Sequence, residues 1–184
     1  RITVVAETSN YAELRPALPR DANVVLLLDI ELPGKNGMDV LGIIRTEFPK
    51  VAVLMLSLYP EDQYAVRALK AGAMGYLNKN SAPEKLVEAV TQLAAGRKYI
   101  STEVSQILAD RITISESDTP HELLSNREFQ VLRLIAAGKR LSEIAETLAI
   151  SPKTVSVYRA RVLEKIGVNN NVEVAHYASR NGLT

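Results

Sequence analysis

Ile150-Ser-Pro-Lys-Thr-Val-Ser-Val-Tyr-Arg-Ala-Arg-Val-Leu-Glu-Lys-Ile166 carries a helix start in its first residues. Ser151 can cap the first turn, and Pro152 sits where a missing N–H costs nothing. On the 3.6-residue period Val155, Val162 and Ile166 share one face, flanked by Leu163 and part of Tyr158. Lys153, Ser156, Val157, Ala160, Arg161 and Glu164 then turn outward. That outward face is small and basic, with nothing to block close approach to a surface. Upstream, Ser142-Glu-Ile-Ala-Glu-Thr-Leu148 is a second short helical pattern, joined through Ala149-Ile150-Ser151. Two helices, a turn of a few residues and basic side chains on the second exposed face form a helix-turn-helix, an arrangement suited to the DNA major groove.

Working outward, the 184 residues suit one large or two small domains, and a hydrophobic fraction of 47% is ample for packed cores. The absence of cysteine excludes disulfides and thiolate metal sites and fits a reducing cytoplasm. No run approaches the roughly 18 apolar residues of a membrane span, and Arg1 opens no signal peptide. The net charge is only +1. Phosphate attraction therefore has to come from a local patch, Lys153, Arg159, Arg161 and Lys165 against Glu164.

The first half alternates. Ile2-Thr-Val-Val-Ala6 reads as a strand, and Tyr11 to Leu18 as a helix shortened or kinked by Pro16 and Pro19. Asn23-Val-Val-Leu-Leu-Leu-Asp29 is an apolar run of the kind buried on both faces of a parallel sheet. A loop, Ile30-Glu-Leu-Pro-Gly-Lys-Asn-Gly37, leads to a helix over Met38 to Glu47. Val51-Ala-Val-Leu-Met-Leu-Ser57 repeats the strand pattern, and Glu61 to Ala71 is a helix closed by Gly72. Gly75-Tyr-Leu-Asn-Lys79 is a short strand, and Ala82 to Gly96 is a helix with proline at its start and glycine at its end. Alternating strands and helices imply a parallel sheet covered on both faces, with ligands beyond the carboxyl ends of its strands. Asp29, Ser57 and Lys79 end three strands at that edge. A carboxylate there can take a phosphoryl group as a nucleophile, while a hydroxyl and an ammonium bind its new oxygens.

Tyr99 to Ile112 reads as a further amphipathic helix. Thr113 to His121 loses periodicity and gains Ser, Thr, Asp and Pro, the composition of a linker. Ser125 with Glu128 is a capping box, and Phe129, Leu132, Ile135 and Ala136 form an apolar face that stops at Gly138. After the two helices described first, Asn169-Asn-Asn171 is a turn and cap before a helix over Val172 to Arg180. There is no internal repeat, and neither His121 nor His176 has partners suggesting a metal site.

On these segments both halves resemble two-component response regulators of the NarL/FixJ type. Leu28-Asp-Ile-Glu-Leu-Pro-Gly-Lys-Asn-Gly37 resembles the phosphoacceptor segment of a receiver domain. That resemblance makes Asp29 the phosphorylated residue, Ser57 the hydroxyl that turns toward the phosphoryl group, Tyr76 the aromatic switch and Lys79 the family lysine. Leu124-Ser-Asn-Arg-Glu128, Glu143-Ile-Ala145, Ser151-Pro-Lys-Thr-Val155 and Lys165-Ile-Gly167 resemble the LuxR-type signature. By that likeness Val155 to Ile166 lies on the recognition helix. Lys153, Thr154, Tyr158, Arg159 and Arg161 would contact phosphates or position the helix, with Ser156, Val157 and Ala160 facing base edges. The implied architecture is an α/β flavodoxin-like doubly wound parallel sheet over 1–112, a linker over 113–123, and a small all-α helix-turn-helix domain over 124–184.

The resemblance further implies a non-enzymatic bacterial cytoplasmic regulator. A sensor histidine kinase would phosphorylate it in the presence of Mg²⁺, and a homodimer would read promoter half-sites in double-stranded DNA. The added charge would draw in Ser57 and Lys79, Tyr76 would turn inward, and the altered face would dimerise or release the DNA-binding domain. One departure stands out. The family's receiver opens with a strand and an acidic pair that holds Mg²⁺, whereas this sequence opens at what would be the second strand. The protein is thus expected to carry a preceding segment; within this sequence only Asp29 and the backbone of Glu31 match the metal ligands. A phosphorylation-independent DNA-binding regulator with a degenerate receiver is the alternative. An aspartyl-phosphate phosphatase fits poorly, because its Asp-x-Asp pattern meets Glu31 and then Pro33-Gly34, and it leaves the C-terminal third without a role.

Overall fold

Three apolar runs become the strands of one sheet in the computed structural model, which describes residues 2–19, 24–33, 35–113 and 119–184. They are β1 (Val25–Asp29), β2 (Ala52–Ser57) and β3 (Gly75–Asn78), all parallel and in the order β1-β2-β3. Contacts divide the chain into two compact units, Arg1–Ile114 and Ser115–Thr184.

In the first unit α1 (Tyr11–Ala17) precedes the sheet, capped by Asn10 and holding Pro16 in its last turn. Helices α2 (Gly37–Glu47) and α3 (Glu61–Lys70) make the two crossovers between parallel strands. Because both crossovers step in the same direction along the sheet, their right-handedness places α2 and α3 on one face. Helix α4 (Pro83–Ala94) covers the other, where Ala89 and Leu93 pack with Ala52, Leu54 and Leu77. Central β2 is buried almost throughout, with Val53, Leu54 and Met55 fully enclosed, as its unbroken apolar run requires.

One strand and one helix expectation change. Ile2 to Ala6 is not a strand, and Ile2, Val4 and Val5 are exposed. A strand exists only through a ladder partner, and no described strand pairs with this segment. The expected helix from Tyr99 begins instead at Thr102, as α5 (Thr102–Thr113). Tyr99 itself bridges Gly75 in parallel and extends the ladder beside β3. The middle of the expected linker, residues 114–118, lies outside the described residues; Thr113 closes α5 and Pro120–Leu123 form a 3-10 turn.

The second unit is all helical: α6 (Asn126–Ala136), α7 (Leu141–Leu148), α8 (Pro152–Ile166) and α9 (Asn171–Arg180). The Ser125–Glu128 capping box forms as read from the sequence. Glu128 then does something the spacing does not announce. Its carboxylate is buried and accepts from Lys165 Nζ on α8 at 2.6 Å. Lys165 also donates to the carbonyl of Leu123 at 3.3 Å, so one ammonium ties together the entry to α6 and the end of α8. His121 packs in the same unit, Nδ1 lying 3.0 Å from the Tyr177 hydroxyl.

Burial works against the Glu128 charge, yet the Lys165 ammonium and the Ser125 N–H together hold its carboxyl below the ordinary value. A depressed carboxylate contributes stability that is complete above the unfolded-state pKa, about 4.3, and is lost as pH falls through the folded value. We expect the second unit to lose stability on acidification below about pH 4.3. Glu128→Ala should remove about 2–3 kcal/mol at neutral pH and flatten that dependence. Urea midpoints with amide exchange in α6 measure both; an unchanged acid limb in the variant would refute the assignment.

Candidate phosphoryl site and DNA-reading face

Parallel pairing places Asp29 beside Leu56 and Ser57 beside Asn78, so the ends of all three strands meet at one edge. Lys79 is not the last residue of β3, as expected, but the first of the turn after Asn78. Its N–H still continues the ladder by donating to the Ser57 carbonyl at 2.8 Å. That anchor aims the side chain across the crevice, and Lys79 Nζ stands 2.5 Å from Asp29 Oδ2. The other carboxylate oxygen, Oδ1, accepts from the N–H of Glu31 at 3.0 Å. Asp29 remains partly open, its side chain 29% exposed, so a reagent can reach it. Ser57 is buried at the adjacent strand end, its Oγ accepting from Tyr59 N–H at 3.0 Å. The structure thus brings Asp29, Ser57, Lys79 and Glu31 together at one edge of the sheet.

Tyr76 is buried in β3, with its hydroxyl donating to the Tyr59 carbonyl at 3.0 Å. Tyr59 is a residue that the sequence reading missed. Its hydroxyl donates to the Glu31 carboxylate, its carbonyl also accepts from Asn78 Nδ2 at 3.0 Å, and its ring stacks on Tyr64 with centroids 5.1 Å apart. It joins the loop after β1 to the loop after β2. Only its place two residues beyond Ser57 could have signalled this.

The loop that carries Glu31 folds back because Gly37 permits it. Gly37 N–H donates to the Ile30 carbonyl at 2.8 Å, and a Cβ on Gly37 would lie 1.8 Å from the Asp29 carbonyl oxygen. As for Mg²⁺, it takes six oxygens in a near-octahedral shell. Asp29 and the Glu31 carbonyl fall well short of that number. Among the described residues no group of three His, Cys, Asp or Glu side chains could hold a metal ion. Mg²⁺ commonly keeps several waters in that shell, and Asp29 with the Glu31 carbonyl would supply the share of it that the described residues offer.

In the second unit α7 and α8 meet through Ala149, held in the left-handed region at φ 51°. Such a conformation costs a non-glycine residue roughly 1–2 kcal/mol, which the burial of Ile144, Leu148, Val155 and Val162 around the turn offsets. Ser151 caps α8, accepting from Thr154 N–H at 3.1 Å, and Pro152 is its first residue. Lys153, Ser156, Val157, Ala160 and Arg161 are exposed along α8, while Thr154, Tyr158 and Arg159 are half-buried beside them. Two of the four basic residues in the expected patch are committed internally. Arg159 Nε donates to Asn171 Oδ1 at 2.6 Å, and Lys165 holds Glu128. Lys153 and Arg161 are the basic side chains left on the open face. Among the described residues no helix is long and apolar enough to cross a membrane.

Comparison with known proteins follows the same division. Residues 1–91 match the response regulator receiver domain, and residues 122–178 match the bacterial regulatory proteins of the luxR family. Response regulator UvrY of Escherichia coli K12 is 34% identical over 183 residues, covering 99% of this chain and 84% of that protein. RcsB from Salmonella enterica serovar Typhimurium, solved bound to promoter P1flhDC in the presence of phosphomimetic BeF3⁻, superposes with a TM-score of 0.58 at 28% identity, over 94% of this chain and 83% of that one. A structure of two RcsB dimers bound to two parallel DNAs gives a TM-score of 0.53 at 30% identity, over 96% and 84% of the two chains.

The Gly37 contact sets a sharp test. A methyl group there has to push the Asp29 carbonyl away, so Gly37→Ala should cost about 1–3 kcal/mol, read as a lower urea midpoint of the first unit. An unchanged midpoint would show that the loop is not packed as described.

Proposed function

Since the chain belongs to the response regulators that join a receiver domain to a luxR-family DNA-binding domain, we propose that Asp29 is its phosphoacceptor and that α8 reads DNA. The observation that carries this reading is the Lys79 ammonium 2.5 Å from Asp29 Oδ2, with Ser57 at the neighbouring strand end. A carboxylate oxygen of Asp29 forms the new P–O bond as the P–N bond to a kinase phosphohistidine breaks. The ammonium then balances charge on the transferred group, and the Ser57 hydroxyl donates to one of its oxygens. The Glu31 N–H keeps hold of Oδ1 and fixes the plane of the carboxylate. Tyr76, anchored on the Tyr59 carbonyl, reports the change to α3 and β3.

In the second unit Lys153, Thr154, Tyr158 and Arg161 approach phosphates, Arg159 positions α8 through Asn171, and Ser156, Val157 and Ala160 face base edges. The protein works in the bacterial cytoplasm as a regulator rather than an enzyme, a homodimer spanning paired half-sites. The alternative is a regulator that binds DNA without phosphorylation and keeps its receiver for assembly.

Intact mass before and after a small-molecule phosphodonor with Mg²⁺ separates the two. One phosphoryl group gained by the native chain and none by Asp29→Asn supports the first reading; no gain by the native chain supports the second. On either reading Arg161→Ala should weaken DNA binding across sequences, and the salt slope should fall by about 0.9 for one lost phosphate contact. A loss confined to particular base positions would instead make Arg161 a base reader.

A further inference from the structure

The segment after α4 is built onto the switch side of the first unit more closely than a connection needs. Tyr99 N–H donates to the Met74 carbonyl at 2.9 Å, and Tyr99 runs parallel to Gly75. A Cβ on Gly75 would meet the Tyr99 carbonyl oxygen at 3.1 Å and its Cβ at 3.2 Å, so glycine is what lets this strand edge approach. Two residues on, buried Ser101 plays two parts. Its Oγ accepts from Val104 N–H at 3.2 Å, capping α5, and its hydroxyl donates to the Glu61 carboxylate at the first residue of α3.

Glu61 is joined to the phosphoryl site by a short, stiff route. Pro60 precedes it with φ −56°, a torsion fixed by the ring, and Tyr59 precedes Pro60. Tyr59 N–H depends on Ser57 Oγ, and its carbonyl serves Tyr76 and Asn78. When the Ser57 side chain rotates to bring its hydroxyl onto a phosphoryl oxygen on Asp29, its Oγ leaves the Tyr59 N–H. The unit Tyr59-Pro60-Glu61 then has to shift to satisfy that N–H, and a rigid proline passes the shift on to the Glu61 carboxylate.

We propose that the Ser101–Glu61 hydrogen bond makes α5 the output element of the receiver, moving it whenever Ser57 engages a phosphoryl group. Helix α5 ends at Thr113, one residue before the first unit closes at Ile114, so its displacement acts directly on the chain entering the DNA-binding unit. The inference rests on Asp29 as phosphoacceptor.

The test is amide hydrogen exchange in α5 of the full chain, with and without phosphoramidate and Mg²⁺, alongside intact mass. In the native chain one phosphoryl group is gained, and α5 exchange changes by about 5-fold or more, the lower end of coupling between sites. Ser101→Asp keeps a capping oxygen for Val104 but sets a like charge against Glu61. This variant should take the phosphoryl group while α5 exchange stays the same. Glu61→Gln retains an acceptor and should keep the response. A phosphorylated native chain with unchanged α5 exchange, or a phosphorylated Ser101→Asp chain that responds like the native one, overturns the proposal alone. No phosphoryl on the native chain sinks the functional reading, and this proposal with it.

Discussion

The first unit is organised by one requirement: a carboxylate, a hydroxyl and an ammonium from distant parts of the chain must reach the same point. Parallel pairing supplies it, because strands that run in one direction end at one edge. The Lys79–Asp29 contact spans 50 positions in sequence and closes at 2.5 Å. It is a poor device for stability. With side chains 37% and 29% exposed, it belongs with pairs that contribute about 0–1 kcal/mol. On the proposed reading it prepares for a transferred anion, since a cation already in place needs no reorganisation when negative charge arrives.

The second unit uses the same pairing of ammonium and carboxylate for the opposite purpose. Glu128 has a side chain only 3% exposed, so its charge is tolerable only because Lys165 and the Ser125 N–H meet it. Engaging Lys165 with Glu128 and Arg159 with Asn171 leaves Lys153 and Arg161 as the uncommitted basic groups named on the face of α8, with small residues between them. A narrow basic stripe on a well-anchored helix favours discrimination over mere attraction. On the proposed reading few cationic groups contribute the sequence-independent part of binding, and Ser156, Val157 and Ala160 face the base edges.

How much of this could be read in advance depended on whether the signal was local. The buried strands showed as apolar runs, and the helix starts at Ser125 and Ser151 showed as caps, because those effects act within a few residues. Asp29, Ser57 and Lys79 were legible because strand ends, and the residue just past one, converge from topology alone. The segment Ile2 to Ala6 looked equally like a strand, but β structure needs a neighbour and propensity cannot supply one. Tyr99 reads as helical because its apolar ring fits the period, whereas its backbone is claimed by Met74 and Gly75. Arg159 and Lys165 read as outward charge in the sequence, yet each is engaged by a partner, 12 and 37 positions away. Tyr59 had no pattern to betray it. Its importance comes from Glu31, Tyr76 and Asn78, which reach it only in the fold.

These observations also bound how large a switch the fold can support. Around Asp29 each polar group named here already has a partner: Oδ1 the Glu31 N–H, Oδ2 Lys79, Ser57 Oγ the Tyr59 N–H. A phosphoryl group on Asp29 therefore rearranges groups that already serve one another. The free energy available to move α3 is the difference between new contacts and those surrendered, and such differences amount to about 1–3 kcal/mol. A shift of that size cannot unfold a helix packed through Ala65 and Ala68, which are fully buried. It can exchange one hydrogen-bond arrangement for another where the groups are few and the backbone is stiff. The stretch Ser57 to Glu61 meets both conditions, which makes it the natural seat of the change.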